Sequence, residues 1–156
     1  MIDQATFRYV LGQFASGVTV VTTATGEVYH GITVSSFCSL SLDPPLVLVC
    51  IDKRVRSHDA LVQAGVFAVN ILAQENEHLS RHFASRSEDK FSSVPYHLGE
   101  TGTPLLDGVL ATLECRLHAQ LPGGDHTIFV GEVISTTTRD DTDPLLYYRG
   151  GYRQFG

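Results

Sequence analysis

The chain carries a stretch, Gly31-Ile32-Thr33-Val34-Ser35-Ser36-Phe37-Cys38-Ser39-Leu40-Ser41, that starts as a strand pattern, becomes rich in small hydroxyl residues and closes on Asp43-Pro44-Pro45. Small side chains let a flat polar ligand lie against the backbone. Amide N–H, carbonyl and hydroxyl groups are then within hydrogen-bonding reach of a planar heteroaromatic ring. On their own these residues also suit an ordinary polar strand and turn. A second stretch, Asp52-Lys53-Arg54-Val55-Arg56-Ser57, follows an apolar run and leads into a helical pattern. Free N–H groups at a helix start, with Lys and Arg beside them, attract phosphate. Gly124-Asp125-His126 and Tyr147-Tyr148-Arg149-Gly150-Gly151-Tyr152 add a histidine in a turn and an aromatic cluster beside paired glycines.

Other chemistries find less support. His78 and His82 stand four apart, a spacing that zinc can use on a helix. Leu79 occupies the position where the metalloprotease motif needs Glu, so no metal site is expected. Cys38, Cys50 and Cys115 are odd in number and lack CxxC spacing, which disfavours both a disulfide framework and a thiolate zinc site. No Gly-x-Ser-x-Gly elbow occurs. No GxGxxG follows a strand, so any nicotinamide must bind without the Rossmann motif.

The elements that must position these residues are mostly strands. Residues 3–15 pattern as an amphipathic helix capped by Asp3, with Phe7, Val10, Leu11 and Phe14 on one face and Gly17 beyond its end. Val18 to Ala24 and Val28 to Phe37 read as strands, and Leu46-Val47-Leu48-Val49-Cys50-Ile51 as a central strand. Ser57 is expected to cap a short helix ending at Ala64-Gly65. Val66 to Leu72 reads as strand, Gln74 to Ala84 as helix, and Ser85 to Thr103 as irregular. From Val109 to Leu121 apolar and polar residues alternate, as in a long strand with one face buried. Pro122-Gly123-Gly124-Asp125 is expected to turn the chain into a partner strand from His126 to Thr138. Many strands, few helices and no βαβ rhythm predict a mainly β fold, an antiparallel barrel with short peripheral helices.

At 156 residues the chain is expected to form one domain, residues 1–156. Hydrophobic residues at 43% and charged residues at 18% fit a globular protein. A net charge of −6 disfavours nucleic acid as a partner. No apolar run approaches membrane-spanning length, and no signal peptide is visible. Three thiols without a framework suit a reducing cytoplasm.

From Phe14-Ala15-Ser16-Gly17-Val18-Thr19 to Gly150-Gly151-Tyr152, the chain resembles the flavin reductase-like family, with the hydroxyl run and Gly124-Asp125-His126 as signatures. The resemblance implies an FMN-binding split β-barrel, homodimeric, that reduces FMN or FAD with NADH or NADPH and passes reduced flavin to a separate monooxygenase. It places Thr33, Val34, Ser35, Ser36 and Ser39 at the isoalloxazine ring, and Lys53 and Ser57 at the flavin phosphate, with Arg54 or Arg56 assisting. Asp52 stands where relatives often have Asn, and needs a cationic partner if phosphate is near. His82, Phe83, Arg86 and Tyr152 are further cofactor candidates, and Lys90-Phe91 falls at a recurring family position. Hydride passes directly from nicotinamide C4 to flavin N5, so the candidate catalytic residue His126 is implied to position the dinucleotide rather than move a proton.

Overall fold

The computed structural model describes residues 1–156. Helix α1 (Gln4–Leu11) is followed by strands β1 (Ser16–Gly17), β2 (Thr19–Thr25), β3 (Val28–Val34), β4 (Phe37–Ser41) and β5 (Leu46–Asp52). Helix α2 (Arg56–Ala64), β6 (Val66–Ile71), a 3₁₀ turn (Gln74–Asn76) and α3 (Glu77–Phe83) come next. The chain then forms β7 (Tyr96–Leu98), β8 (Pro104–Leu106), β9 (Ala111–Gly123), β10 (His126–Thr138), β11 (Leu146–Tyr148) and β12 (Gly151–Arg153).

Seven strands make one antiparallel sheet in the order β3-β2-β6-β9-β10-β5-β4. Flat, such a sheet would be about 29 Å wide. Its two edges, β3 and β4, are consecutive in the chain and separated only by Ser35 and Ser36. The three residue steps from Val34 to Phe37 reach roughly 11 Å at most. The sheet therefore curls until its edges approach, and the barrel opens between β3 and β4. The stretch from Val28 to Phe37 is thus two strands broken at Ser35-Ser36, not one.

Two apolar clusters fill the fold. One holds Val21, Val34, Val47, Val49, Ile51, Leu61, Phe67, Val69, Cys115 and Phe129. The other holds Val18, Val20, Leu72, Leu79, Phe83, Phe91, Leu106, Val109 and Leu145. Strand β2 sends Val21 to the first and Val20 to the second, so both its faces are buried. Its threonines survive burial because their hydroxyls donate to carbonyls: Thr19 to Val34 O, Thr22 to Pro104 O and Thr23 to Val66 O, at 2.6–2.7 Å.

Several boundaries differ from those expected. Helix α1 ends at Leu11, short of residue 15, and none of its residues is buried. Val55, not Ser57, holds the cap position of α2; Ser57 is buried one residue inside the helix. The 3₁₀ turn precedes α3 where one helix was expected. Pairing of β7 with β8 puts a small hairpin across the stretch expected to be irregular. On β9 the alternation holds, yet Thr112 and Glu114 on the polar side are buried too. The carboxylate of Glu114 accepts from the Thr101 amide at 3.0 Å and its hydroxyl at 2.7 Å, drawing the 99–101 segment over that face. The turn into β10 is only Gly124-Asp125, with Gly124 at φ +68, and β9 runs on through Pro122 and Gly123.

Strand β10 bends at bulges beside Gly131 and Val133. A Cβ on Gly131 would come 2.5 Å from Phe67 Cζ and 2.7 Å from Cys115 Cβ, both in the first core. Gly131→Ala is expected to cost about 1–3 kcal/mol from overpacking, read as a lowered midpoint of urea unfolding with an unchanged slope.

Candidate active site

Two clefts meet along β3. The smaller, about 300 Å³, is walled by Ile32, Thr33, Val34, Ser35 and Ser36, by Cys50, Ile51 and Asp52 at the end of β5, and by His126 at the start of β10. The larger, about 480 Å³, runs from β3 (Val28 to Ile32) to the α2 entry (Arg54 to Ser57) and to residues 83–88 with Lys90 and Phe91. Ile32 lines both. Register explains the smaller cleft: His126 pairs with Asp52 across β10 and β5, while the sheet's curl brings the end of β3 against β5.

The Ser35-Ser36 break leaves polar backbone at this cleft. The Phe37 and Cys50 amides donate to the Ser35 and Ser36 carbonyls, at 3.0 and 3.1 Å. The amides of Ser35 and Ser36 themselves donate to no group in the protein. As an edge strand, β3 also has one side unpaired. Two neighbouring free N–H groups suit an acceptor-rich ring edge. Two of the hydroxyls are already used as braces: Thr33 Oγ1 donates to Ser80 O at 2.6 Å, and Ser36 Oγ to Cys50 O at 2.9 Å.

Charge is arranged in pairs at the rim. Asp52 accepts from the Arg54 amide at 2.8 Å and from its guanidinium at 2.7 and 3.1 Å. These bonds hold the Asp52 carboxyl well below the usual carboxylate range. Arg54 is therefore the cation that Asp52 needs. His126 Nδ1 donates to Asp125 Oδ1 at 2.7 Å, which lowers the Asp125 pKa. The Lys53 amide donates to Asp125 O at 3.0 Å, tying the two turns together.

The larger cleft is cationic. Lys90 Nζ donates to Phe83 O at 2.8 Å and to Gly31 O at 3.2 Å, joining the end of α3 to β3. It has no carboxylate within ion-pair distance, and partial burial lowers its pKa. His82 Nε2 donates to Lys90 O at 2.7 Å and holds that backbone in place. Phe83 fills the space beside Gly31, where any Cβ would come within 2.7 Å of its ring.

The residues singled out in the sequence thus separate into three groups. Thr33, Val34, Ser35, Ser36, Asp52 and His126 gather at the smaller cleft. Ser57, Phe83 and Arg86 line the larger. Ser39, Lys53, His82 and Tyr152 line neither. Tyr152 is linked indirectly: its hydroxyl bonds Ser80 Oγ at 2.6 Å, and Ser80 O accepts from Thr33. Arg81 sits over the Tyr152 ring at 4.9 Å. Sequence reasoning missed Ser80, which joins the C-terminal hairpin to β3, and Cys50, which walls the smaller cleft; neither lies in a motif. His78 is exposed, and no three metal-type side chains converge anywhere.

A seven-stranded barrel opening at Ser35-Ser36, with free amides in one cleft and unpaired cations in the next, has the features of a site for a phosphate-bearing flat ring. The family model for the flavin reductase like domain matches residues 11–156, and the chain belongs to that family. It is 44% identical over 151 residues to the reductase subunit HsaB of a flavin-dependent monooxygenase from Rhodococcus jostii, covering 97% of this chain and 77% of that protein. It is likewise 44% identical over 158 residues to an NADH-dependent FAD reductase from Streptomyces globisporus, covering 98% of this chain and 86% of that one. The solved Streptomyces globisporus NADH:FAD oxidoreductase SgcE6, in complex with NAD and FAD fragments, superposes with a TM-score of 0.95 at 44% identity over 99% of this chain and 93% of that one. The fold is accordingly a split β-barrel of flavin reductase type.

Proposed function

We propose that residues 1–156 act as one domain, an NAD(P)H:flavin oxidoreductase that reduces FMN or FAD and releases it to a separate flavin-dependent monooxygenase. The observation that carries this reading is the pair of free amides at Ser35 and Ser36 beside a cationic cleft. The donors match the acceptor-rich edge of an isoalloxazine ring, and Lys90 and Arg86 match the phosphate on the flavin's ribityl chain. Bound flavin supplies the hydride-accepting centre. The chain's part is positioning: Ile32 to Ser36 hold one ring, and His126, fixed by Asp125, orients the dinucleotide at the mouth of the same cleft. Nothing in this step requires a side chain to take a proton.

A releasing enzyme and one that retains its flavin differ in a simple test. Protein loaded with FAD and passed through a desalting column is expected to lose its flavin. Stoichiometric retention would favour the prosthetic-group reading instead. His126→Ala is expected to raise KM for NAD(P)H about tenfold, the worth of one good hydrogen bond, with a smaller change in KM for flavin. Equal changes in both would count against a nicotinamide role.

The chain is read as a homodimer in the cytoplasm. Helix α1 has no buried residue, and Phe7, Val10 and Leu11 on one face, with Phe14 just beyond the helix end, are 51–81% exposed. A contiguous apolar face of this kind is covered in solution by a partner surface, here a second copy. Sedimentation equilibrium is expected to give twice the chain mass. No helix is long and apolar enough to cross a membrane.

A further inference from the structure

The larger cleft holds four cations, Arg54, Arg56, Arg86 and Lys90, and a single carboxylate, Glu88. Arg54 is engaged by Asp52, which belongs to the smaller cleft. Arg86 and Lys90 have no carboxylate partner. Arg56, the first residue of α2, donates to Glu88 Oε1 at 2.8 Å. The pair crosses the cleft, joining α2 to the segment that follows α3. Both side chains are largely exposed, 72% and 76%, so the pair is screened and easily exchanged.

A phosphate entering this cleft meets Arg86 and Lys90 unopposed. It gains Arg56 only by displacing Glu88. We propose that Glu88 tunes flavin release: its carboxylate competes with the flavin phosphate for Arg56, holding affinity down and speeding departure of the product. This rests on the reading that the larger cleft receives the flavin phosphate. A shuttle needs loose binding, and a carboxylate that retakes its arginine as phosphate leaves supplies it without altering the ring platform.

The test is Glu88→Gln, which keeps size and removes charge. Flavin Kd is measured by fluorescence quenching, and dissociation by stopped-flow displacement. FMN and FAD are expected to bind roughly three- to tenfold more tightly, and to dissociate correspondingly more slowly, for loss of one charge near a phosphate. Riboflavin, which has no phosphate, is expected to bind unchanged. In an Arg56→Ala background the Glu88→Gln gain is expected to vanish, because the contested cation is gone. Should Glu88→Gln leave FMN affinity unchanged or weaken it while Lys90→Met weakens it, the cleft binds phosphate but Glu88 does not compete, and the inference falls alone. Should Lys90→Met and Glu88→Gln both affect FMN and riboflavin equally, the phosphate does not lie in this cleft, and the underlying reading falls with it.

Discussion

Replacing Lys90 by Met and Arg86 by Ala together is expected to raise the Kd for FMN by about a hundredfold while leaving riboflavin binding nearly unchanged. The two are the cleft's cations without carboxylate partners, and each charge-assisted bond to phosphate is worth roughly tenfold. Lys90 is the more telling of the pair. Its ammonium is half-buried and bonded to two carbonyls, Gly31 O and Phe83 O, so it is positioned before any ligand arrives. Met keeps the length and apolar stem of the side chain, so cleft shape is preserved. Burial lowers the Lys90 pKa, which makes its charge the first among ordinary lysines to be lost as pH rises. Flavin affinity should therefore fall on the alkaline side sooner than an exposed lysine dictates, and the Met variant should lack that limb. Equilibrium titration across pH checks both statements. Equal weakening of FMN and riboflavin would place the phosphate elsewhere.

Ser36→Leu carries the second large effect. Ser36 lies at the barrel's opening, where its amide is free and its hydroxyl bonds Cys50 O. A branched side chain there occupies the space against which a ring must lie, and it removes the bond that fixes the break between β3 and β4. A displacement of about 1 Å in a reacting ring costs on the order of a hundredfold in rate, so kcat/KM is expected to fall at least that far. Ser36→Ala loses one hydroxyl bond but leaves the space, and is expected to lose less than tenfold. Near-normal turnover in a folded Leu variant would mean that the ring does not lie against Ser36.

Much of the fold is legible in the residues. The alternation from Val109 to Leu121 shows β9, and the branched residues after His126 show its partner, because period-two burial is a local signal. The burial of Glu114 was not legible, since the 99–101 segment that covers it is held by that carboxylate, and Thr112 is instead bonded to Thr137 on the neighbouring strand. Ser57 has the chemistry of a helix cap, but the helix starts earlier, at Arg56, with Val55 at the cap position and no side-chain cap bond. One wall of the smaller cleft was readable because it is contiguous, from Thr33 to Ser36, whereas Cys50 on the opposite wall was not. The cations of the larger cleft were only half readable. Lys53 is adjacent in sequence to the turn yet lines neither cleft, whereas Lys90 arrives from a segment without periodicity. Its place is set by the carbonyl of Phe83, seven residues before it, and by that of Gly31, far away in the chain.

Flavin is a diffusible substrate of this enzyme, reduced at the expense of NAD(P)H. Oxidation of NADH and of NADPH, followed by nicotinamide absorbance with FMN, FAD or no flavin added, tests this most directly. The expected result is negligible oxidation without flavin and saturable oxidation with it, reduced flavin accumulating when oxygen is excluded. No oxidation with any pairing, or a rate that ignores added flavin, would contradict the account.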